Sequence, residues 1–120
     1  MKTDILAFGV HPDDVELGCS GTLIACAAQG KKIAVVDLTR GELGTRGTAE
    51  TRDAEAALAA ITMGVNAREN LEMPDGFFQH NEDNIKKIIT CIRKYQPQII
   101  LCNAPEDRHP DHGRSSKLVA

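Results

Sequence analysis

Aromatic side chains are scarce in this chain, with one Tyr, three Phe and no Trp among 120 residues. That leaves no stacking platform of the kind that grips single-stranded nucleic acid. A basic excess is missing too: 14 Lys and Arg stand against 17 Asp and Glu, for a net charge of -3. Without a basic footprint, nucleic acid is not an expected partner. No apolar run approaches the roughly 20 residues that span a bilayer, and no basic segment followed by an apolar one precedes the first predicted strand. The expectation is a soluble, cytoplasmic protein without a membrane partner. Cys19, Cys26, Cys91 and Cys102 form no C-x-x-C pair, which argues against a structural zinc knot and for free, buried thiols in a reduced compartment.

What is present is ordinary globular composition, 42% hydrophobic and 26% charged, in a length that suits one domain but is short for a doubly wound enzyme. Residues 5–10 are continuously apolar and read as a strand buried on both faces. Residues 18–21 lead into a helix over 22–29, closed by Gly30, and residues 33–38 form a second buried strand. The loop 39–48 is rich in Gly, Glu, Arg and Thr, follows the same sheet edge as the end of the first strand, and is placed to close over a polar substrate, with Glu42 as a candidate contact. Thr48 is a predicted N-cap for a helix over 49–63 with Ala54, Ala57, Leu58 and Ile61 as its apolar stripe. Residues 70–73 read as a short third strand ended by Pro74-Asp75-Gly76. Asn81 caps a helix over 82–95 striped by Ile85, Ile88, Ile89 and Ile92, and residues 98–103 form a fourth strand. The pattern predicts an α/β fold, a Rossmann-like open parallel sheet with helices on both faces, in the order 3-2-1-4.

Two polar clusters flank that frame. The first strand runs into His11-Pro12-Asp13-Asp14-Val15-Glu16, and Pro12 forces the strand to end. The fourth runs into His109-Pro110-Asp111-His112. In the order 3-2-1-4, strands one and four are neighbours at the topological switch point, so both clusters converge where open α/β sheets bind their ligands. Two imidazoles and one carboxylate suit Zn²⁺ with a position left open for water, and His11, Asp14 and His112 are the expected ligands. That choice leaves Asp13 as a general base, His109 to steady an oxyanion or act as general acid, and Asp111 to orient a ligand imidazole. Arg52 in the first turn of its helix opposes the helix dipole, a hint of ligand binding set against a surface ion pair with Asp53 or Glu55. Other readings are a polar turn in which Asp13 or Asp14 caps a helix, Fe²⁺ in place of zinc, and a nucleotide-binding module with Asp37 on a ribose. The last lacks the G-x-G-x-x-G turn that a pyrophosphate needs.

The paired HPDD and HPDH motifs, with Glu16 after the first, resemble the PIG-L/LmbE family of zinc-dependent N-acetylglucosaminide deacetylases. The resemblance extends along essentially the whole chain. It implies that His11, Asp14 and His112 hold zinc, Asp13 is the general base, His109 assists at the oxyanion and Arg52 contacts the substrate. Residues 15–22, the loop 40–48 and Asp107-Arg108-His109 are similar to the branch that deacetylates N-acetylglucosaminyl malate in bacillithiol biosynthesis. On that reading Arg108 and Arg52 are candidates for the malate carboxylates, which a guanidinium fork suits. Relatives acting on other N-acetylglucosamine conjugates share the motif. Family members are about twice this long and residues 115–120 read as an unfinished helix. The expectation is therefore a single domain over 1–120 that is the N-terminal half of the family fold, truncated at its C-terminus, with homo-oligomer contacts in the full-length protein.

Overall fold

The structure, a computed structural model, describes residues 2–43, 47–103 and 110–119, and in the last stretch the side chains of 115–119. The order of elements is β1 (Ile5–Gly9), α1 (Asp14–Ala28), β2 (Ile33–Thr39), α2 (Ala49–Met63), β3 (Ala67–Met73), α3 (Glu82–Tyr95), β4 (Ile99–Leu101) and α4 (Pro110–Val119). The four strands form one parallel sheet in the order β3-β2-β1-β4, as the alternation of strands and helices predicts. β1 sits centrally, with Ile5 level with Ile33 on one side and with Ile99 on the other.

Side chains alternate across the strands, so β1 feeds two cores. Leu6, Phe8 and Val10 join Ala34, Val36 and Leu38 beneath α3 and α4, through Ile88, Cys91, Tyr95 and Leu118. Ile5 and Ala7 join Ile33 and Val35 on the opposite face, against Val15 and Leu23 of α1. Right-handed crossovers account for this division. The chain steps from β1 to β2 to β3 in one direction, then returns past β1 to β4, so α3 lands on the face opposite α1.

Several expectations are corrected. The first helix starts at Asp14, eight residues before the predicted start, and runs through Gly18 and Gly21 with a kink at Cys19 (φ -146, ψ 16). β3 begins at Ala67, three residues early, and β4 is only three residues long. The predicted α2 stripe does not face the core: Leu58 and Ile61 are 65% and 78% exposed, and Met63 is the buried residue of that helix. In α3 the buried line is Asn84, Ile88, Cys91 and Tyr95, with Ile85 and Ile92 partly covered and Ile89 40% exposed. All four cysteines are free, but only Cys91 is buried and Cys102 is exposed. Among the described residues no helix is long and apolar enough to cross a membrane.

Candidate metal centre and adjoining cleft

The end of β1 is braced from β2. Thr39 donates to the Val10 carbonyl through both its N–H (2.9 Å) and its hydroxyl (3.0 Å). The same hydroxyl accepts from the Gly41 N–H at 3.1 Å. Pro12 then turns the chain, and α1 begins two residues later. Asp13 occupies the N-cap position, yet its side chain makes no capping hydrogen bond and is exposed. Asp14 does not cap either; its Oδ2 folds back to accept from the Val10 and His11 N–H groups at 3.1 and 3.0 Å. Neither carboxylate is therefore spent on capping the helix.

His11 is the centre of the arrangement. Its Nε2 lies 2.9 Å from Asp75 Oδ1 and its Nδ1 3.6 Å from Asp14 Oδ2. Burial by itself would lower the imidazole pKa, but the hydrogen bonds and charges of Asp14 and Asp75 outweigh it and raise the value to about 9. The site therefore favours positive charge at this nitrogen pair.

Among the described residues no three potential ligands lie together, but the His11–Asp14 pair is spaced as two donors of a zinc-like ion would be. Two donors on a tetrahedral ion with bonds of about 2.0–2.1 Å lie about 3.3–3.4 Å apart, close to the observed Nδ1 to Oδ2 separation. A carboxylate on the other ring nitrogen is the usual support of a metal-binding imidazole, and Asp75 supplies it. Asp75 is hard to recognise in the sequence because Pro-Asp-Gly is sufficiently explained as a turn. It is instead buried, and its second oxygen accepts from the Leu43 N–H at 2.9 Å. Glu42, expected at the substrate, accepts from the Asp75 N–H at 3.1 Å and thereby ties the β2–α2 loop to this carboxylate.

Of the second cluster, Arg108 and His109 lie outside the described residues. Asp111 and His112 fall in the first turns of α4, and their side chains lie outside the described ones. The backbone result is that α4 starts after β4, the parallel neighbour of β1.

Beside Asp13 opens a cleft of about 220 Å³ lined by Pro12, Asp13, Glu16, Arg52, Glu55 and Ala56. Arg52 is not paired with Asp53, which takes Arg40 instead at 2.6 Å. Its Nη1 donates to the Gly41 carbonyl at 3.2 Å. Gly41 has φ +67, and a Cβ there would sit 2.0 Å from that same Nη1, so the absence of a side chain lets the guanidinium lie against the loop. Asp37, the residue a ribose would need, is 2% exposed and held by Arg68 through two bonds of 2.8 and 3.0 Å. It is committed to the interior.

The chain is similar to known proteins along nearly its whole length. The family model described as PIG-L, GlcNAc-PI de-N-acetylase, matches residues 6–120. The chain is 36% identical to an uncharacterized deacetylase, YaiS, of Escherichia coli K12, over 92% of this chain and 63% of the relative. It is 31% identical to the diacetylchitobiose deacetylase of Thermococcus kodakarensis, over 95% and 46%. Among solved structures, the conserved protein TT1542 of Thermus thermophilus superposes with a TM-score of 0.91 at 40% identity, covering 97% of this chain and 53% of that one. The chain thus spans roughly half to just under two thirds of the length of these relatives.

Proposed function

Because this chain belongs to the PIG-L family of GlcNAc-PI de-N-acetylases, we propose that it is a metal-dependent hydrolase that removes the acetyl group from the amine of an N-acetylglucosamine conjugate. N-acetylglucosaminyl malate is the proposed substrate, with glucosaminyl malate and acetate as products. The observation that carries the reading is the placing of an uncapped, exposed carboxylate, Asp13, in one cleft with Arg52 and next to the braced His11–Asp14 pair.

His11, Asp14 and His112 would hold the ion, with Zn²⁺ preferred over Fe²⁺ by the donor chemistry. When bound, zinc polarises a carbonyl and brings the pKa of its water to about 7. The residues of the chain supply the rest. Asp13 accepts a proton from the attacking water and returns it to the amine nitrogen as the C–N bond breaks, a role worth about 10²–10⁴ in rate. His109, on the resemblance, meets the charge that develops on the acetyl oxygen. Arg52, with Arg108 as its proposed partner, is suited to pair with carboxylates on the aglycone. The relative acting on diacetylchitobiose supports an N-acetylglucosamine-type substrate, and the loop and Asp107-Arg108-His109 resemblance supports malate as the aglycone.

The test is acetate release from N-acetylglucosaminyl malate, diacetylchitobiose and free N-acetylglucosamine by zinc-loaded and chelated protein. Chelator-sensitive release that is fastest from the malate conjugate is expected. Asp13→Asn should lower kcat by about 10³ while retaining zinc, whereas His112→Ala should lose zinc and turnover together. Equal loss of metal in the two variants would contradict the roles assigned.

A further inference from the structure

Arg68 lies in β3, on the far side of β2 from the HPDD turn, and its side chain is 6% exposed. Its guanidinium makes more contacts than charge balance requires. Nε and Nη2 fork onto Asp37, and Nη2 also reaches Glu16 Oε1 at 3.0 Å and the Pro12 carbonyl at 2.8 Å. Nη1 lies 3.4 Å from the Ala56 carbonyl. One side chain thus joins β2, α1, α2 and the turn that carries Asp13.

The Pro12 contact bears on chemistry. A peptide unit is planar, so fixing the Pro12 oxygen fixes the plane from which the Asp13 Cα departs. Asp13 has no side-chain capping bond, and its own carbonyl accepts from the Leu17 N–H at 2.9 Å. The direction of its Cα–Cβ bond, from which the carboxylate projects, is therefore set through the backbone, by Arg68 on one side and α1 on the other. His11 and Asp14 are held separately, by Asp75 and by the Val10 and His11 N–H groups.

We propose that Arg68 is a positioning residue that aims the general base Asp13 through the Pro12 carbonyl, independently of the contacts that hold the metal ligands. The proposal rests on the deacetylase reading above for its kinetic consequence but not for its structural one.

Two variants of the full chain test it. Arg68→Lys keeps the buried charge, but its ammonium lacks the planar fork and ends about one bond short of Nη2, the nitrogen that reaches the Pro12 carbonyl. The double variant Arg68→Met with Asp37→Leu replaces the buried pair by apolar side chains, a change that buried ion pairs commonly tolerate. For both we expect zinc affinity, read by competition with a chromogenic chelator, within about threefold of the parent. KM should likewise stay within about threefold, while kcat falls roughly 30- to 100-fold, the scale of a displacement of about 1 Å. Crystal structures of the variants should show the Pro12–Asp13 peptide reoriented with His11 and Asp14 unmoved. An unmoved peptide, retained kcat in the folded double variant, or parallel loss of metal and turnover would each overturn the proposal. If the parent protein released no acetate from any conjugate, the deacetylase reading would fail, and the peptide's position and the metal affinity of the variants would still decide the tether.

Discussion

Asp75 is the residue on which the candidate centre most depends and the one least visible beforehand. Its carboxylate spans His11 Nε2 and the Leu43 N–H, so it sets the ring's orientation and anchors the β2–α2 loop at once. Asp75→Asn keeps the shape but weakens the support, and zinc affinity is expected to fall about 10- to 100-fold, as measured by chelator competition. An unchanged affinity would mean that the ring is held by its other neighbours. Gly41 is the second such residue. Gly41→Ala places a Cβ against the Arg52 guanidinium and holds a left-handed backbone (φ +67), at a strain of about 1–2 kcal/mol. The flexible arginine gives way first. The expected result is a KM for the N-acetylglucosamine conjugate raised about tenfold or more with zinc affinity unaltered, and a KM left in place would remove Arg52 from the substrate contacts.

At the scale of elements, β3 shows why a polar segment becomes a strand. Ala67, Arg68 and Glu69 break the apolar run that marks a buried strand, so residues 70–73 alone are recognisable in the sequence. Their charges are answered far along the chain. Arg68 meets Asp37 and Glu16, while Glu69 accepts from the Tyr95 hydroxyl and from Lys94 at 2.9 Å. Burial by itself would raise the Glu69 carboxyl, but Tyr95 and Lys94 outweigh it and hold it below its ordinary value of 4.5. A carboxylate whose pKa is depressed on folding contributes fully above its unfolded value and loses that contribution as the pH falls through the folded one. Glu69→Gln is therefore expected to cost about 1 kcal/mol at pH 7, since the group is partly solvated. In urea melts the difference from the parent should shrink as the pH falls below about 4. A difference independent of pH would assign the loss to packing. α2 and α3 were legible to the residue because Thr48 and Asn81 cap them with side-chain bonds to Thr51 and Asn84. The start of α1 was not legible, because Gly18 and Gly21 read as loop and its cap residue, Asp13, makes no side-chain cap.

For the whole molecule, the sheet order sets β1 beside β4, and this order was legible because right-handed crossovers leave few alternatives. What the sequence could not reveal is how the first cluster is braced, since Thr39, Arg68 and Asp75 reach it from β2, β3 and the turn after β3 across separations of 29 to 64 residues. An ion held by His11, Asp14 and His112 would join the segments that follow β1 and β4, adding to the short β1–β4 pairing and the packing of Leu118 on the core. Such an ion binds the folded chain and not the unfolded one, so it must stabilise by mass action. At a free concentration of 100 Kd the gain is about 2.7 kcal/mol, which for a domain of this size is roughly 10 °C in Tm. Scanning calorimetry in the presence of zinc and after chelation is expected to show a Tm that rises with free zinc concentration. His112→Ala should abolish the shift without lowering the Tm of the chelated form by a comparable amount, because its contribution is made through the ion. A zinc-dependent shift that survives in His112→Ala would place the third ligand elsewhere, and a Tm indifferent to zinc in the parent would remove the metal from the fold altogether.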